Sequence, residues 1–148
     1  MANILGINAY HAGASACLVV DGQPVAALPE ERLNRVKYYA GFPSGAIETC
    51  LEMADLGFRD LDYVAVGRDP SANRFQKIVY ALRHPSRLWN FFQIMRARRG
   101  LGDVHSLIAD QCDVPREELR FEQVNVEHHL AHVSSAYFIS PWDHCAGF

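Results

Sequence analysis

The chain has 148 residues, of which 49% are hydrophobic and 21% charged, the composition of one soluble domain with a hydrophobic core. No apolar run approaches the ~20 residues of a membrane-spanning helix, and no basic region precedes the first apolar stretch, so we expect neither a membrane span nor a signal peptide. The net charge is −3, yet eight of the fourteen Lys and Arg residues lie between Arg68 and Arg99. Four scattered cysteines without a C-x-x-C pair predict reduced thiols and a cytoplasmic location.

The first part of the chain predicts three antiparallel strands. Residues 3–8 and 14–20 are apolar segments of strand length, joined by a short loop at residues 9–13. Asp21-Gly22 is a strong signal for a two-residue hairpin turn, after which residues 24–28 return as the third strand.

A helix, a strand and further helices follow. Pro43 suits the first turn of a helix whose apolar residues form one stripe, and Gly57 is placed to cap its end. Residues 61–66 predict a fourth strand, which should pair parallel to the first, on the edge away from the second and third. Residues 71–99 predict two amphipathic helices separated near Pro85.

The last part of the chain adds a short helix, a strand and a longer helix. Asp103 is a predicted N-cap, residues 119–124 predict a fifth strand, and the final helix must end before Pro141. This order predicts an α/β fold, the ribonuclease-H-like half of an actin-like ATPase fold. Because the sequence stops at Phe148 inside an apolar, strand-like segment, we expect a domain that continues beyond it.

Three histidines occur close together in the stretch EHHLAH. In a helix His128 and His132 lie about 40° apart around the axis, while His129 also lies one turn from His132, so two pairs are possible. Two imidazoles one turn apart offer nitrogen ligands for Zn, Fe, Mn or Ni. The alternative is a helix with ordinary surface or core histidines.

The predicted loop between the first two strands contains His11 among small residues. Such a loop lets the backbone approach a phosphate or carbonyl group, to which His11 could donate a hydrogen bond or from which it could remove a proton. The alternative is a tight hairpin with an incidental histidine. The first strand carries no carboxylate, which argues against a metal-dependent nuclease.

Two charged segments remain. Residues 30–37 (EERLNRVK) predict a solvated face. The basic segment 68–99 would suit RNA or another anionic partner, but its aromatic residues lie mostly at helical core spacing. That spacing favours an amphipathic helical segment with a basic outer face, so nucleic-acid binding remains the weaker interpretation.

Five motifs in the same order give the chain a resemblance to a known family. The motifs are ILGINAYH, SACLVVDG, EERLNRVK, AGFPSGAIETCL and EHHLAHVSSAYFISP. Together they resemble the amino-terminal part of the NodU/CmcH-type O-carbamoyltransferases, whose actin-like domain is similar to that of the tRNA threonylcarbamoyl transferases. The likeness covers essentially the whole chain, so residues 1–148 are expected to be followed by the rest of this domain and by a YrdC-like domain.

The resemblance implies an activity and a site. The full-length enzyme would make carbamoyl-adenylate from carbamoyl phosphate and ATP and transfer the carbamoyl group to a hydroxyl of a small-molecule or glycan acceptor. His128 and His132 would be ligands of a divalent ion, most readily iron, with His129 facing away. His11 would contact the reacting centre, and Lys37 would hold an anionic group.

One departure from the family keeps rival interpretations open. Many members have an aspartate one or two positions after the first-loop histidine, where this chain has Ala12 and Gly13. The alternatives are a degenerate, non-catalytic carbamoyltransferase-like module and an RNA-binding module that uses the basic helices of residues 68–99. The pattern assigns no oligomeric state.

Overall fold

The computed structural model describes residues 2–67 and 103–145, which form an α/β structure. The strands are β1 (Asn3–Asn8), β2 (Ser15–Val20), β3 (Gln23–Pro29), β4 (Tyr63–Val66) and β5 (Glu122–Asn125). The helices are α1 (Glu31–Asn34), α2 (Ser44–Met53), α3 (Val104–Gln111) and α4 (His128–Tyr137), with 3-10 turns at Phe58–Asp60 and Arg116–Glu118. The predicted helices of residues 71–99, and with them the RNA-binding alternative, lie outside the described residues.

The five strands form one sheet in the order β3-β2-β1-β4-β5. Strands β1, β2 and β3 are antiparallel, whereas β4 pairs parallel to β1 and β5 parallel to β4. The predicted meander and the parallel fourth strand on its far edge are therefore confirmed. Asp21 and Gly22 both have positive φ angles, 51° and 79°, which are the values of the tight hairpin turn that this dipeptide favours.

The core lies between the sheet and the apolar side of α2. Ala46, Ile47, Cys50 and Leu51 are the buried residues of this helix, at the positions predicted from its stripe. They pack against alternate residues of the strands, and Val104 and Ile108 of α3 join the same cluster. The strand residues of the core are Leu5, Ile7, Ala16, Leu18, Ala26, Val64 and Val66. One face of the sheet is buried against these helices. A shift of one residue in a strand would turn its apolar side chains away from this core, so the burial fixes the strand register.

The end of α2 differs from the prediction. The helix ends at Met53 rather than at Gly57, and Asp55 takes the left-handed conformation that follows a helix, with φ 54°. The N–H group of Leu56 donates to the Leu51 carbonyl and that of Asp55 to the Glu52 carbonyl. These two bonds satisfy carbonyl groups of the last turn, so no glycine is required there.

The expectation of a solvated face for residues 30–37 is wrong for Glu30. Its side chain is only 6% exposed, and its carboxylate accepts a hydrogen bond of 2.7 Å from the Ala46 N–H group. Pro43, the N-cap residue of α2, offers no side-chain cap. Glu30 therefore supplies the acceptor from the end of β3, since the first N–H groups of a helix have no partner within the helix. A Cβ atom at Gly45 would lie 3.1 Å both from this carboxylate and from the Leu33 side chain, so a larger residue would crowd the two.

All four cysteines are free thiols. Burial raises the pKa of the Cys112 thiol to about 12, with the negative charges of Glu48 and Glu30 adding to the effect. The Cys112 thiol therefore stays protonated at neutral pH, and it is not a reactive thiolate. Among the helices of residues 2–67 and 103–145, none has the length and apolar character required to cross a membrane.

Asp103 begins α3 as predicted, and its removal should destabilise the fold. The carboxylate accepts hydrogen bonds from the Ser106 hydroxyl at 2.7 Å and the Ser106 N–H at 3.2 Å, and Arg116 lies 3.2 Å away. The Ser106 hydroxyl, the Ser106 N–H and Arg116 lower the pKa of Asp103 from 3.8 to about 2. We expect Asp103→Ala to lower the free energy of unfolding by about 1 kcal/mol at neutral pH.

This effect should depend on pH with a definite sign. A carboxyl group whose pKa is lower in the folded state stabilises the fold above its unfolded pKa, and the contribution is lost as the pH falls through the folded pKa. The difference between the wild type and Asp103→Ala should therefore shrink as the pH falls from 3.8 toward about 2. Urea unfolding at several pH values measures it. Asp110→Ala, an exposed change in the same helix, serves as the control; equal curves for both variants would contradict the capping role.

Candidate functional site

The site forms where two neighbouring parallel strands end. The carboxyl ends of β1 and β4 lie at the same edge of the sheet, so the loop after Asn8 and the residue after Val66 are brought together there. The N–H group of Val126 donates to the Val66 carbonyl at 2.8 Å, which brings the start of α4 to the same edge. Such crevices at the carboxyl ends of parallel strands are the usual ligand sites of α/β sheets.

Glu127 fixes the start of α4. Its side chain accepts a hydrogen bond of 2.9 Å from the Leu130 N–H group and is the N-cap of the helix. This bond and one from the His129 N–H group lower the pKa of the Glu127 carboxyl, so the cap is ionised at neutral pH. The glutamate of EHHLAH is thus a helix cap rather than a group that faces a ligand.

His128 and His132 lie on one face of α4, and their Nε2 atoms are 3.2 Å apart. Two ligands of one ion can span this separation when each N–metal distance is about 2.0–2.2 Å. The sequence left two pairs open, and the structure pairs His132 with His128. The ring of His129 lies 5.8 Å from that of His128, centroid to centroid, against 4.6 Å for His132.

A backbone carbonyl selects one tautomer of the neutral His128 ring. Its Nδ1 atom lies 3.3 Å from the Gly67 carbonyl oxygen, which can only accept a hydrogen bond. The proton of the neutral ring is therefore assigned to Nδ1, which leaves a lone pair on Nε2, the atom that faces His132. A histidine that ligates a metal usually donates its second nitrogen to such a carbonyl, so this arrangement suits a metal ligand.

His11 reaches the same place from the first loop. Its ring lies 5.9 Å from that of His128, centroid to centroid, although the two residues are far apart in the chain. Its Nδ1 atom lies 3.2 Å from the Ala12 carbonyl oxygen, which by the same reasoning assigns the proton to Nδ1 and a lone pair to Nε2. The exposed His11 ring thus has a nitrogen that can accept a proton.

The first loop is held in place by the segment before α2. The Tyr10 N–H donates to the Gly41 carbonyl at 3.1 Å, while the Gly13 and Ala14 N–H groups donate to the Tyr39 carbonyl at 3.2 and 3.0 Å. Tyr10 adopts a left-handed backbone conformation with φ 55°, which is uncommon for a bulky residue. These bonds compensate the strain, so the position of His11 is fixed by contacts on both sides of it.

A cavity of about 260 Å³ lies between the loop and α4. Its lining is formed by Ile7, Asn8, Ala9, Tyr10, His11, Val66, Gly67 and His128. Sequence reasoning had singled out His11 and His128 but not Asn8, Tyr10 or Gly67. Asn8 and Tyr10 could have been suspected from the sequence because they are close to His11 in the chain. Nothing in the sequence pointed to Gly67, because it acts through its backbone carbonyl. Burial, with the nearby Tyr39, raises the pKa of the Tyr10 phenol.

Lys37 does not line the cavity. It lies on an exposed segment after α1. The two histidines fit part of a metal site, since their Nε2 atoms lie 3.2 Å apart on one face of α4. Among residues 2–67 and 103–145, no group of three His, Cys, Asp or Glu side chains could hold an ion. Further ligands would have to come from outside these residues.

A comparison with known protein families gives a match over nearly the whole chain. The family described as Carbamoyltransferase N-terminus matches residues 3–146. An uncharacterized protein of Synechocystis, sll1178, is 35% identical over 99% of this chain and 25% of its own length. The nodulation protein NolNO of Sinorhizobium fredii is 29% identical over 92% of this chain and 19% of its own length. The chain thus spans about a quarter or less of these two relatives.

The fold is shared with a solved structure of low sequence identity. YeaZ from Pseudomonas aeruginosa superimposes with a TM-score of 0.51 over 93% of this chain and 48% of its own, at 16% identity. The predicted fold class, the ribonuclease-H-like half of an actin-like ATPase fold, is confirmed by this likeness.

Proposed function

The chain belongs to the carbamoyltransferase family, and residues 3–146 match its amino-terminal domain. On this premise we propose that the full-length protein transfers a carbamoyl group to a hydroxyl of a small-molecule or glycan acceptor. We further propose carbamoyl-adenylate, made from carbamoyl phosphate and ATP, as the donor. The observation that carries the proposal is the meeting of His11 and His128 at one cavity, at the carboxyl ends of β1 and β4.

The geometry supports a division of labour between the histidines. The Nε2 lone pair of His11 would accept the proton of the acceptor hydroxyl as its oxygen attacks the carbamoyl carbon. The bond between this carbon and the adenylate oxygen would break, and AMP would leave. His128 and His132 would hold a divalent ion, for which iron is our proposal, together with ligands from elsewhere. Such an ion supplies positive charge that polarises a carbonyl oxygen or binds phosphate oxygens.

The aspartate that many family members have after the first-loop histidine is absent here, and its absence concerns the same proton transfer. Positions 12 and 13 hold Ala12 and Gly13, and the Ala12 carbonyl is the group within hydrogen-bond distance of His11 Nδ1. A backbone carbonyl orients an imidazole and selects its tautomer as a carboxylate does, although without the negative charge that favours the imidazolium. We propose that this contact replaces part of the orienting role of the aspartate, and that His11 itself is the base.

The experiment is a transfer assay with the full-length protein. Labelled carbamoyl phosphate, ATP, Fe²⁺ and a hydroxyl-bearing acceptor are incubated, and the label on the acceptor is measured. We expect transfer that requires ATP and metal. Residues 1–148 alone should give none, since losing several groups that act together costs nearly the whole rate. A full-length protein that folds and binds metal but transfers nothing to any acceptor would favour the degenerate, non-catalytic alternative.

A further inference from the structure

Asn8 is the last residue of β1, and its side chain closes the first loop. Its Nδ2 atom donates a hydrogen bond of 3.1 Å to the Gly13 carbonyl oxygen at the other end of the loop. A carbonyl oxygen can only accept a hydrogen bond, so the amide nitrogen, and not the amide oxygen, is assigned to this contact. The orientation of the Asn8 amide is thereby fixed, and its Oδ1 atom is the end that the loop does not use.

The Asn8 Oδ1 atom is an acceptor without a partner beside the histidines. Within residues 2–67 and 103–145, no hydrogen bond reaches this oxygen. Asn8 is half-buried and lines the cavity together with His11 and His128. An amide oxygen that is partly withdrawn from water favours a ligand that donates a hydrogen bond to it, because leaving a desolvated acceptor unpaired costs free energy.

The other polar groups of the cavity wall have different properties. The Gly67 carbonyl already faces the Nδ1 atom of His128. The Nε2 atom of His11 is the base of the proposed function. The Tyr10 phenol can both donate and accept, so it pairs equally well with an N–H group and with a carbonyl oxygen. The Oδ1 atom of Asn8 can only accept, and it therefore selects a ligand that carries a donor.

The carbamoyl group carries such a donor. It has nearly the shape of an acetyl group, but it has an NH2 group with two N–H donors where the acetyl group has a methyl group. A site that forms a hydrogen bond to an N–H group rejects an analogue that lacks it, because the acceptor of the site is then left unpaired. Recognition of the carbamoyl group thus requires a fixed acceptor in the cavity, and the Asn8 amide has one.

We propose that Asn8 determines the specificity for the transferred group: its Oδ1 atom accepts a hydrogen bond from the carbamoyl NH2 group, while its Nδ2 atom holds the loop that carries His11. The inference rests on the proposed function for the identity of the transferred group. It adds how this group is recognised, which is a separate task from proton removal by His11. One amide then positions the carbamoyl group and the first loop relative to each other.

The test measures equilibrium binding to the full-length protein, without any catalytic step. The N-carbamoyl and N-acetyl forms of sulfamoyl-adenosine are stable mimics of an acyl-adenylate that differ only in NH2 against CH3, and both are titrated calorimetrically. We expect the wild type to bind the carbamoyl mimic at least about tenfold more tightly. Asn8→Leu keeps the size of the side chain without an acceptor. It should lose this preference by weakening the carbamoyl mimic, with the acetyl mimic nearly unchanged.

Two further variants separate recognition from the structure of the loop. Gly13→Ala strains the same loop, since Gly13 has a φ angle of 83°, but it retains the Asn8 amide. Both mimics should change equally in this variant, so the preference should remain. Asn8→Asp keeps an acceptor oxygen but cannot donate to the Gly13 carbonyl, and it should also retain the preference. Thermal unfolding checks that each variant is folded.

The possible outcomes are distinct. An equal loss of both mimics in Asn8→Leu would show that the amide contacts a part that the two mimics share, and an unchanged preference would leave Asn8 only its contact with Gly13; either result would overturn the proposal. A wild type without a preference, or a loss of the preference in Asn8→Asp, would also contradict it. A wild type that prefers the carbamoyl mimic through Asn8 but transfers no carbamoyl group would count against the proposed function alone.

Discussion

Replacing His11 by alanine in the full-length protein is expected to lower turnover by about 10²–10⁴-fold, the usual contribution of a general base. The reason is geometric: His11 lies beside His128 at the cavity, and its Nε2 atom has a lone pair directed away from the Ala12 carbonyl. The side chain is exposed and belongs to no core contact. The loss should therefore appear in kcat, with the unfolding transition unchanged.

The measurement needs a control that separates chemistry from structure. His129→Ala removes an exposed histidine close to the site but outside the cavity lining, and it should keep nearly the wild-type rate. The pH profile of the His11→Ala enzyme gives a second readout, since the limb assigned to the base should disappear. A His11→Ala enzyme that turns over at the normal rate would reduce His11 to a loop residue.

Replacing both His128 and His132 by alanine should abolish metal binding at this site, a loss of at least about 100-fold in affinity for a probe such as Co²⁺. The two Nε2 atoms, 3.2 Å apart, are the donors that an ion would share. Residues 1–148 should bind metal only weakly because two histidines leave the coordination shell open. The full-length protein should bind it more tightly.

His129→Ala is again the matched control, because it removes one histidine from the same helix without touching the pair. The visible absorption of Co²⁺ reports nitrogen ligation directly, and thermal unfolding checks that α4 is retained. Equal titrations of the wild type and the His128→Ala/His132→Ala variant would show that the two imidazoles are only hydrogen-bonded to each other.

Much of the site could be predicted from short sequence patterns. The four-residue spacing of His128 and His132 sets their common helix face, because the turn of a helix is fixed by its backbone hydrogen bonds. The position of His11 in a loop after the first strand followed from the two apolar segments of strand length on either side of it. What such patterns left open was the choice between His128 and His129 as the partner of His132, since both lie one turn from it.

Some features of the fold around the site could likewise be predicted from short sequence patterns, and others could not. The hairpin turn at Asp21-Gly22, the apolar stripe of α2 and the cap at Asp103 are written in short stretches of sequence, because each depends on the conformations and contacts of near neighbours. The parallel pairing of β4 with β1 was predictable from the crossover rule. The end of α2 was not predictable in this way, because Asp55 takes the left-handed position at which a glycine was expected.

The sequence by itself thus determined the five strands, the helices α2, α3 and α4 and the histidine spacing, which are properties of neighbours along the chain. Only the tertiary structure decided that His11 meets His128, that the Gly67 carbonyl selects the tautomer of His128, and that Glu30 turns inward to Ala46. Each of these depends on where two distant backbones come to lie. The physical reason is that strand pairing and packing set such distances, and both are contacts between residues remote in sequence.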